Sequence, residues 1–139
     1  MSEGVRGLIV THASLGEGLV AAVHKITGAD DDTLQAISNE ERGPNDLIAE
    51  IRERAGEGPV LLFTDMPGGS CALAARRMMG GRPQTGLVCG VNLPLLLDFV
   101  FHRTLPLPDL VTRLVSVGRE GIIGTCTEET ADADHTAAD

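Results

Sequence analysis

Short apolar runs alternate with segments of helical periodicity along nearly the whole chain, and this alternation constrains the fold more than any other feature. The apolar runs predict strands at residues 5–11, 33–38, 59–64, 85–91 and 121–126. The helical periodicity predicts helices at residues 16–28, 44–56, 70–79, 92–103 and 106–121. The resulting order, β-α-β-α-β-α-β-α-α-β, is typical of an α/β fold in which an open sheet carries helices on both faces.

The composition predicts a single domain with an aliphatic core. The chain has 139 residues and is 42% hydrophobic, but it contains no Trp, no Tyr and only three Phe. So few aromatic rings provide no stacking platform for single-stranded nucleic acid. A formal net charge of −9 further disfavours binding to phosphate backbones and to anionic membranes. We therefore expect no nucleic-acid partner.

Cysteine usage and hydropathy predict a cytoplasmic protein. Cys71, Cys89 and Cys126 are odd in number and lack CxxC spacing, which favours reduced thiols over disulfides or a zinc site. The N-terminus shows no signal-peptide pattern. The longest apolar run, residues 93–101, is too short to span a membrane and is interrupted by Asp98. We expect no direct insertion into a membrane.

The end of the chain differs in composition from the rest. Residues 127–139 contain five acidic side chains and neither Lys nor Arg. Such a segment has little apolar surface to bury against a core. We therefore expect a domain over residues 1–126 followed by a disordered acidic tail over residues 127–139.

Two polar residues follow the strands where a ligand site is expected. In open parallel sheets, ligands bind beyond the carboxyl ends of the strands where the strand order reverses. In the flavodoxin-like order 2-1-3-4-5, this point lies between the first and third strands. His12 follows the first strand and Asp65 follows the third. Because adjacent strands lie about 4.8 Å apart, the imidazole and the carboxylate can touch.

The segment after Asp65 has the composition of an anion site. Gly68 and Gly69 leave the backbone bare at a helix start, where N–H groups point outward, and Ser70 adds a hydroxyl near the cap position. A carboxylate bonded to one ring nitrogen of His12 would leave the other nitrogen free to attack phosphorus. The alternative interpretation of His12 is a solvent-facing histidine at a strand end. The alternative interpretation of residues 65–70 is an ordinary turn with a helix cap.

Cys71 adds a further alternative at the same place. With His12 and Asp65 nearby, a thiol near a helix N-terminus is compatible with a Cys-His-Asp hydrolase. The competing interpretation is a small buried residue on the first helical turn.

Four motifs in order resemble one family. They are GLIVTHASLGEGL at residues 7–19, VLLFTDMPGGSCALAARRM at 60–78, GVNLPLLLDF at 90–99 and VGREGI at 117–122. Together they resemble the IIA component of the mannose/fructose/sorbose class of the bacterial phosphotransferase system (PTS), in register over roughly residues 5–124.

The resemblance implies a fold, a reaction and partners. The family fold is a flavodoxin-like sheet of four parallel strands and an antiparallel fifth strand at the C-terminal edge. His12 would be the phosphorylated residue and Asp65 its hydrogen-bonding partner, while Gly69 and Ser70 would bind phosphoryl oxygens. The donor would be the phosphocarrier protein HPr and the acceptor a IIB component, with no metal and no cofactor. Family members typically form homodimers by exchanging the last strand, which is residues 121–126 in this chain.

The chain departs from the family pattern around the site. Ala13 stands where members usually carry Gly, Met66 and Pro67 intervene before the two glycines, and Cys71 stands where Pro is common. These positions line the rim that would face a partner.

Two other functions use the same histidine. One is a regulatory phospho-acceptor that senses phosphoryl supply without serving a transporter, and the other is the phosphotransfer subunit of a dihydroxyacetone kinase. The DMPGGS loop, residues 65–70, fits the mannose class better than the kinase subunit. Sugar specificity is not encoded here, because it belongs to the membrane components.

Overall fold

Nine regular elements follow one another in residues 4–127, the part of the chain that the computed structural model describes. The strands are β1 (Arg6–Thr11), β2 (Leu34–Ser38), β3 (Val60–Thr64) and β4 (Thr85–Cys89). The helices are α1 (Leu15–Thr27), α2 (Pro44–Ala55), α3 (Gly69–Met79), α4 (Leu93–Phe101) and α5 (Leu107–Glu120). The predicted α/β class is confirmed.

The four strands form one parallel sheet in the order β2-β1-β3-β4. β1 and β3 lie side by side at its centre, with Ile9 opposite Phe63 in the register. All five residues of β3 are buried, as expected for a central strand covered on both faces. The predicted order is therefore confirmed for the first four strands, and the carboxyl ends of β1 and β3 are neighbours.

Two aliphatic cores cover the two faces of the sheet. One core joins the sheet to α1, α4 and α5, and it contains Phe63 and Phe99 in edge-to-face contact with their ring centroids 5.2 Å apart. The other core joins the sheet to α2 and α3 and is built mainly from Leu, Val, Ile and Ala. The sheet is therefore clamped from both sides, which holds the strand ends in place.

Sequence signals at the helix ends agree with the structure. Pro44 occupies the first turn of α2, where its missing N–H costs nothing. Asn92 caps α4 by accepting a hydrogen bond from the Leu95 N–H, and its Nδ2 donates to the Gly118 carbonyl of α5. Gly28 ends α1 with φ +81°, a conformation that favours glycine.

The predicted fifth strand is not observed. Gly121 is a turn, and residues 122–127 form no strand with any part of the described chain. Ile122 and Ile123 are 78% and 80% exposed, so this apolar stretch of a single chain is left in solvent. A strand requires a hydrogen-bonded neighbour, and none pairs with this segment within residues 4–127. β4 is consequently an edge of the described sheet.

Two further predictions concern the chain outside the sheet. No helix within residues 4–127 is long and apolar enough to cross a membrane. The predicted disordered tail begins at residue 127, and its residues 128–139 lie outside the described residues.

Phe99 and Phe101 provide a matched test of the core on one helix. Phe99 is fully buried, whereas Phe101 is 69% exposed two residues later. We expect Phe99→Ala to lower the free energy of unfolding by about 3–5 kcal/mol, because it opens a cavity beside Phe63. Phe101→Ala should change it by about 0.5 kcal/mol or less. Urea denaturation followed by circular dichroism measures both, and equal losses would contradict the assigned packing.

Candidate functional site

His12 and Asp65 meet at the carboxyl ends of β1 and β3. His12 Nδ1 lies 2.9 Å from Asp65 Oδ2, and the His12 backbone N–H donates to the same oxygen over 3.1 Å. The predicted contact between the two side chains is therefore observed. The His12 side chain is 42% exposed while the Asp65 side chain is 12% exposed. The imidazole can thus be reached from solvent, whereas its partner is largely enclosed.

The environment of Asp65 keeps its carboxyl group ionised. Burial by itself raises the pKa of Asp65, but the hydrogen bonds from the His12 amide and ring, together with the charge of His12, bring it below its ordinary value of 3.8. Because an ionised carboxylate only accepts hydrogen bonds, Nδ1 of a neutral His12 carries the hydrogen. The lone pair of the imidazole is then on Nε2.

The start of α3 faces this second nitrogen. Gly69 has φ +89°, and a Cβ added to it would lie 3.6 Å from His12 Nε2. The N-cap position is Gly68, and no side chain of residues 4–127 caps the first turn. The helix N-terminus therefore presents backbone N–H groups and the positive end of its dipole beside Nε2, as expected for an anion site.

Ser70 and Asn39 connect the helix start to the loop after β1. Ser70 lies inside the first turn of α3 rather than at its cap, and its Oγ accepts a hydrogen bond of 3.2 Å from Asn39 Nδ2. Asn39 Oδ1 accepts from the Ala13 N–H over 3.2 Å, and the Asn39 N–H donates to the Thr11 carbonyl. Since Ser70 Oγ receives a hydrogen from Asn39, its own hydrogen is available to another acceptor.

Asn39 is the residue of the site that sequence reasoning missed. It follows β2, and our interpretation considered only the strands flanking the switch point. β2 is the other neighbour of β1, so its carboxyl end lies at the same edge of the sheet. A polar residue directly after β2 was the available signal.

The loop after His12 has an unusual backbone conformation. Ala13 has φ +51°, in the left-handed region that favours glycine. Beyond it, the Gly16 N–H donates to the buried Thr11 hydroxyl over 2.7 Å, and a Cβ on Gly16 would approach that oxygen to 2.9 Å. The loop is thus held at both ends although Ala13 is strained.

Cys71 packs beneath the imidazole as a neutral thiol. It is fully buried, with Sγ 4.0 Å from His12 Nδ1. Burial and the charge of Asp65 raise the pKa of Cys71 to about 11, against a smaller opposing effect of a hydrogen bond with Ser70. A neutral thiol facing an Nδ1 that already bonds Asp65 has no base to activate it. The geometry therefore favours the packing interpretation over the hydrolase.

Arg76 of α3 stabilises the loop that follows Asp65. Its guanidinium donates a hydrogen bond of 3.2 Å to the Pro67 carbonyl. Within residues 4–127, the side chains that could hold a metal together are those of His12, Asp65 and Cys71, each with one ligand atom within 4.8 Å of the other two.

Replacing Ala13 by Gly tests the strain in the loop. We expect Ala13→Gly to raise the free energy of unfolding by about 0.5–1 kcal/mol, because relief of the left-handed conformation exceeds the added flexibility of the unfolded chain. Ala21→Gly, inside α1, is the control and should lower it by about 1 kcal/mol. Thermal or urea unfolding measures both changes. A destabilised Ala13→Gly variant would argue against the assigned loop conformation.

Comparisons with known proteins agree with the fold. One solved structure is a phosphotransferase system component EIIA from Streptococcus agalactiae, with a TM-score of 0.80 and 21% identity over 86% of this chain and 96% of that one. Another is a mannose/sorbose-specific IIA subunit from Enterococcus faecalis, with a TM-score of 0.78 and 22% identity over 93% of this chain and all of that one. At these identities the likeness establishes the fold alone.

A family comparison goes further than the structures. No curated protein matches the sequence. The family model described as "PTS system fructose IIA component" matches residues 7–110, which include β1 except its first residue, all of β2 to β4 and every residue of the site. The chain therefore belongs to the PTS fructose/mannose IIA family.

Proposed function

We propose that this chain is a phosphoryl carrier in which His12 Nε2 accepts a phosphoryl group from phospho-HPr and passes it to a IIB component. PTS IIA proteins are phosphotransferases in general, and family membership supports that role here. The observation that carries the residue assignment is the His12–Asp65 hydrogen bond, because it leaves the Nε2 lone pair beside the start of α3.

The transfer requires no proton movement at His12. Nε2 attacks the phosphorus atom, an N–P bond forms, and the N–P bond of the donor histidine breaks, so the electron pair returns to the donor ring. Nδ1–H remains bonded to Asp65, whose negative charge stabilises the positive charge that develops on the imidazole. A nucleophile of the IIB component then attacks the phosphorus atom and forms a bond to it, the Nε2–P bond breaks, and its electron pair returns to His12. No metal or other cofactor takes part in this scheme.

The phosphoryl oxygens would bind at the start of α3. The backbone N–H groups around Gly68 and Gly69 supply donors, and the Ser70 hydroxyl supplies another. Asn39 is a positioning residue in this scheme, because its bond to Ser70 Oγ directs the hydroxyl hydrogen away from itself. In-line positioning and such donors are most of what phosphoryl transfer needs from a protein.

An apolar rim around His12 supports docking of a protein partner. Leu15 of α1, Met66 of the loop after β3 and Leu73 of α3 are large exposed side chains on the three segments that surround the site. A docked carrier protein would bury them and exclude water from the labile N–P bond. Met66 is one of the departures from the family pattern, so this rim would contribute to partner choice.

We further propose that two copies exchange their C-terminal segments. The free edge of β4 offers backbone hydrogen bonds, and residues 121–126 contain the exposed Ile122 and Ile123. An antiparallel strand from the partner copy on β4 would satisfy that edge and bury the two isoleucines. The proposed protein is a cytoplasmic homodimer with a IIA domain over residues 1–126.

Phosphorylation of His12 is the central test. We expect incubation with phosphoenolpyruvate, enzyme I and HPr to add one acid-labile, base-stable phosphoryl group, and intact mass spectrometry detects it. His12→Gln should abolish the adduct, because it removes the nucleophilic nitrogen. His24→Gln is the matched control and should retain it, since His24 bonds the Leu34 carbonyl away from the site. An adduct that survives His12→Gln but disappears in Cys71→Ala would overturn the proposal.

The role of Asp65 is tested by a variant that changes which nitrogen of the His12 imidazole carries the hydrogen. Asp65→Asn can donate to Nδ1, which would place the ring hydrogen on Nε2 and remove the attacking lone pair. We expect phosphorylation by phospho-HPr to slow by roughly 100-fold or more. Rapid-quench measurement of the adduct gives the rate, and circular dichroism verifies the fold. An unchanged rate in a folded variant would remove Asp65 from the mechanism.

A further inference from the structure

Three different metal-ligand types converge beneath the imidazole. His12 Nδ1 and Asp65 Oδ2 are 2.9 Å apart, Cys71 Sγ is 4.0 Å from Nδ1, and the three side chains each place one ligand atom within 4.8 Å of the other two. They come from the end of β1, the end of β3 and the first turn of α3. Because these segments are anchored in both cores, the convergence belongs to the fold rather than to one flexible loop.

A second observation points to a cation at the same place. Asp65 Oδ1 is buried and has no hydrogen-bond partner among the described residues. A buried carboxylate oxygen without a donor is costly, and a bound cation is one way to satisfy it. A cation that binds this carboxylate through both oxygens would give Oδ1 the partner that it lacks, while Oδ2 faces His12.

We propose that His12, Asp65 and Cys71 form a binding site for a thiophilic divalent cation of the Zn²⁺ type, and that occupation of this site is incompatible with phosphorylation of His12. The first clause stands on the side-chain cluster alone, whereas the second rests on the proposed function. The cation is an inhibitor in this scheme and not a cofactor of the transfer.

The distances of the cluster are close to those that Zn²⁺ requires. Zn²⁺ binds imidazole nitrogen at about 2.0–2.1 Å and thiolate sulfur at about 2.3 Å, in a tetrahedral arrangement. The ligand atoms of such a shell are roughly 3.3–3.6 Å apart. The Nδ1–Oδ2 pair must open and the Nδ1–Sγ pair must close by a few tenths of an ångström from 2.9 Å and 4.0 Å. A water molecule would complete the four ligands.

Binding changes which nitrogen of His12 carries the hydrogen. The cation takes the Nδ1 lone pair, so the hydrogen of the neutral ring moves to Nε2, while the Cys71 thiol releases one proton to solvent as its sulfur binds. Nε2–H has no lone pair with which to attack phosphorus. Metal binding and phosphorylation therefore require opposite tautomers of the His12 imidazole. For this reason each of the two prevents the other.

The ligand set also selects among cations. Mg²⁺ and Ca²⁺ prefer oxygen ligands, and this cluster offers nitrogen and sulfur with a single carboxylate. The Mg²⁺ present in a phosphotransfer assay should not compete. Cys71 supplies the thiolate, and it stands where the family pattern commonly has Pro.

Co²⁺ is the direct probe, because a thiolate bound to Co²⁺ gives a charge-transfer band in the near ultraviolet. We expect the full chain to show this band with one equivalent of Co²⁺, and Zn²⁺ to displace it. Cys71→Ser and Cys71→Ala should lose the band and weaken Zn²⁺ binding, measured by calorimetry, by at least about tenfold. Cys89→Ser and Cys126→Ser are the matched controls and should retain both. Loss of the band in a control variant, or its retention in both Cys71 variants, would overturn the site.

A second arm tests the exclusion without exposing enzyme I to the metal. Phospho-HPr is prepared and freed of enzyme I before it is mixed with the chain. We expect Zn²⁺ to block transfer to the wild-type chain, a chelator to restore it, and Cys71→Ala to be phosphorylated in the presence of Zn²⁺. The phosphorylated chain should give no Co²⁺ band. Equal inhibition of wild type and Cys71→Ala would refute the exclusion, whereas a Co²⁺ band on a chain that HPr never phosphorylates would retain the metal site and refute the proposed function instead.

Discussion

The hydrogen bond between His12 and Asp65 is the contact on which the rest of the site depends. It joins the carboxyl ends of β1 and β3, which are neighbours only because the parallel sheet has the order β2-β1-β3-β4. The carboxylate determines that Nδ1 carries the hydrogen, and so determines that Nε2 faces the start of α3 with a lone pair. One 2.9 Å contact thereby fixes the orientation of a partly exposed imidazole.

The backbone beside this pair is strained at one residue, and neighbouring hydrogen bonds hold it in place. Ala13 adopts a left-handed conformation immediately after the histidine, and its N–H is held by Asn39. Asn39 also bonds Ser70, so one side chain from the end of β2 connects the loop of the nucleophile to the helix that would receive the phosphoryl group. Strain of this kind persists only where neighbouring contacts over-determine the backbone, and Asn39 and the Thr11–Gly16 bond do so here.

The same imidazole serves two chemistries in our proposals, and they differ in which nitrogen is used. Phosphoryl transfer would use Nε2 beside the start of α3, whereas the proposed cation would use Nδ1 with Asp65 and Cys71. Because a neutral ring has one lone pair, the two cannot operate together. In these proposals Cys71 acts as a metal ligand beside Nδ1 and not as a nucleophile, for which its buried neutral thiol is unsuited.

Local sequence determined most of the secondary structure and the identity of the central pair. Apolar runs such as residues 59–64 and the signals at Pro44 and Asn92 act within a few residues, so strands and helix ends were predictable. The rule for parallel sheets placed His12 opposite Asp65.

Asn39 was not predicted as a site residue, because its role depends on which strand lies beside β1. Ser70 proved to be inside α3 because the cap position depends on the backbone of Gly68. Residues 121–126 have the composition of a strand, but a strand exists only with a neighbour, and the described single chain provides none. The sequence by itself thus determined the first four strands, the five helices and the pairing of His12 with Asp65. Only the tertiary structure decided which ring nitrogen of His12 faces Asp65, the bridging role of Asn39 and the approach of Cys71 to both side chains, because those properties depend on contacts between residues far apart in the chain.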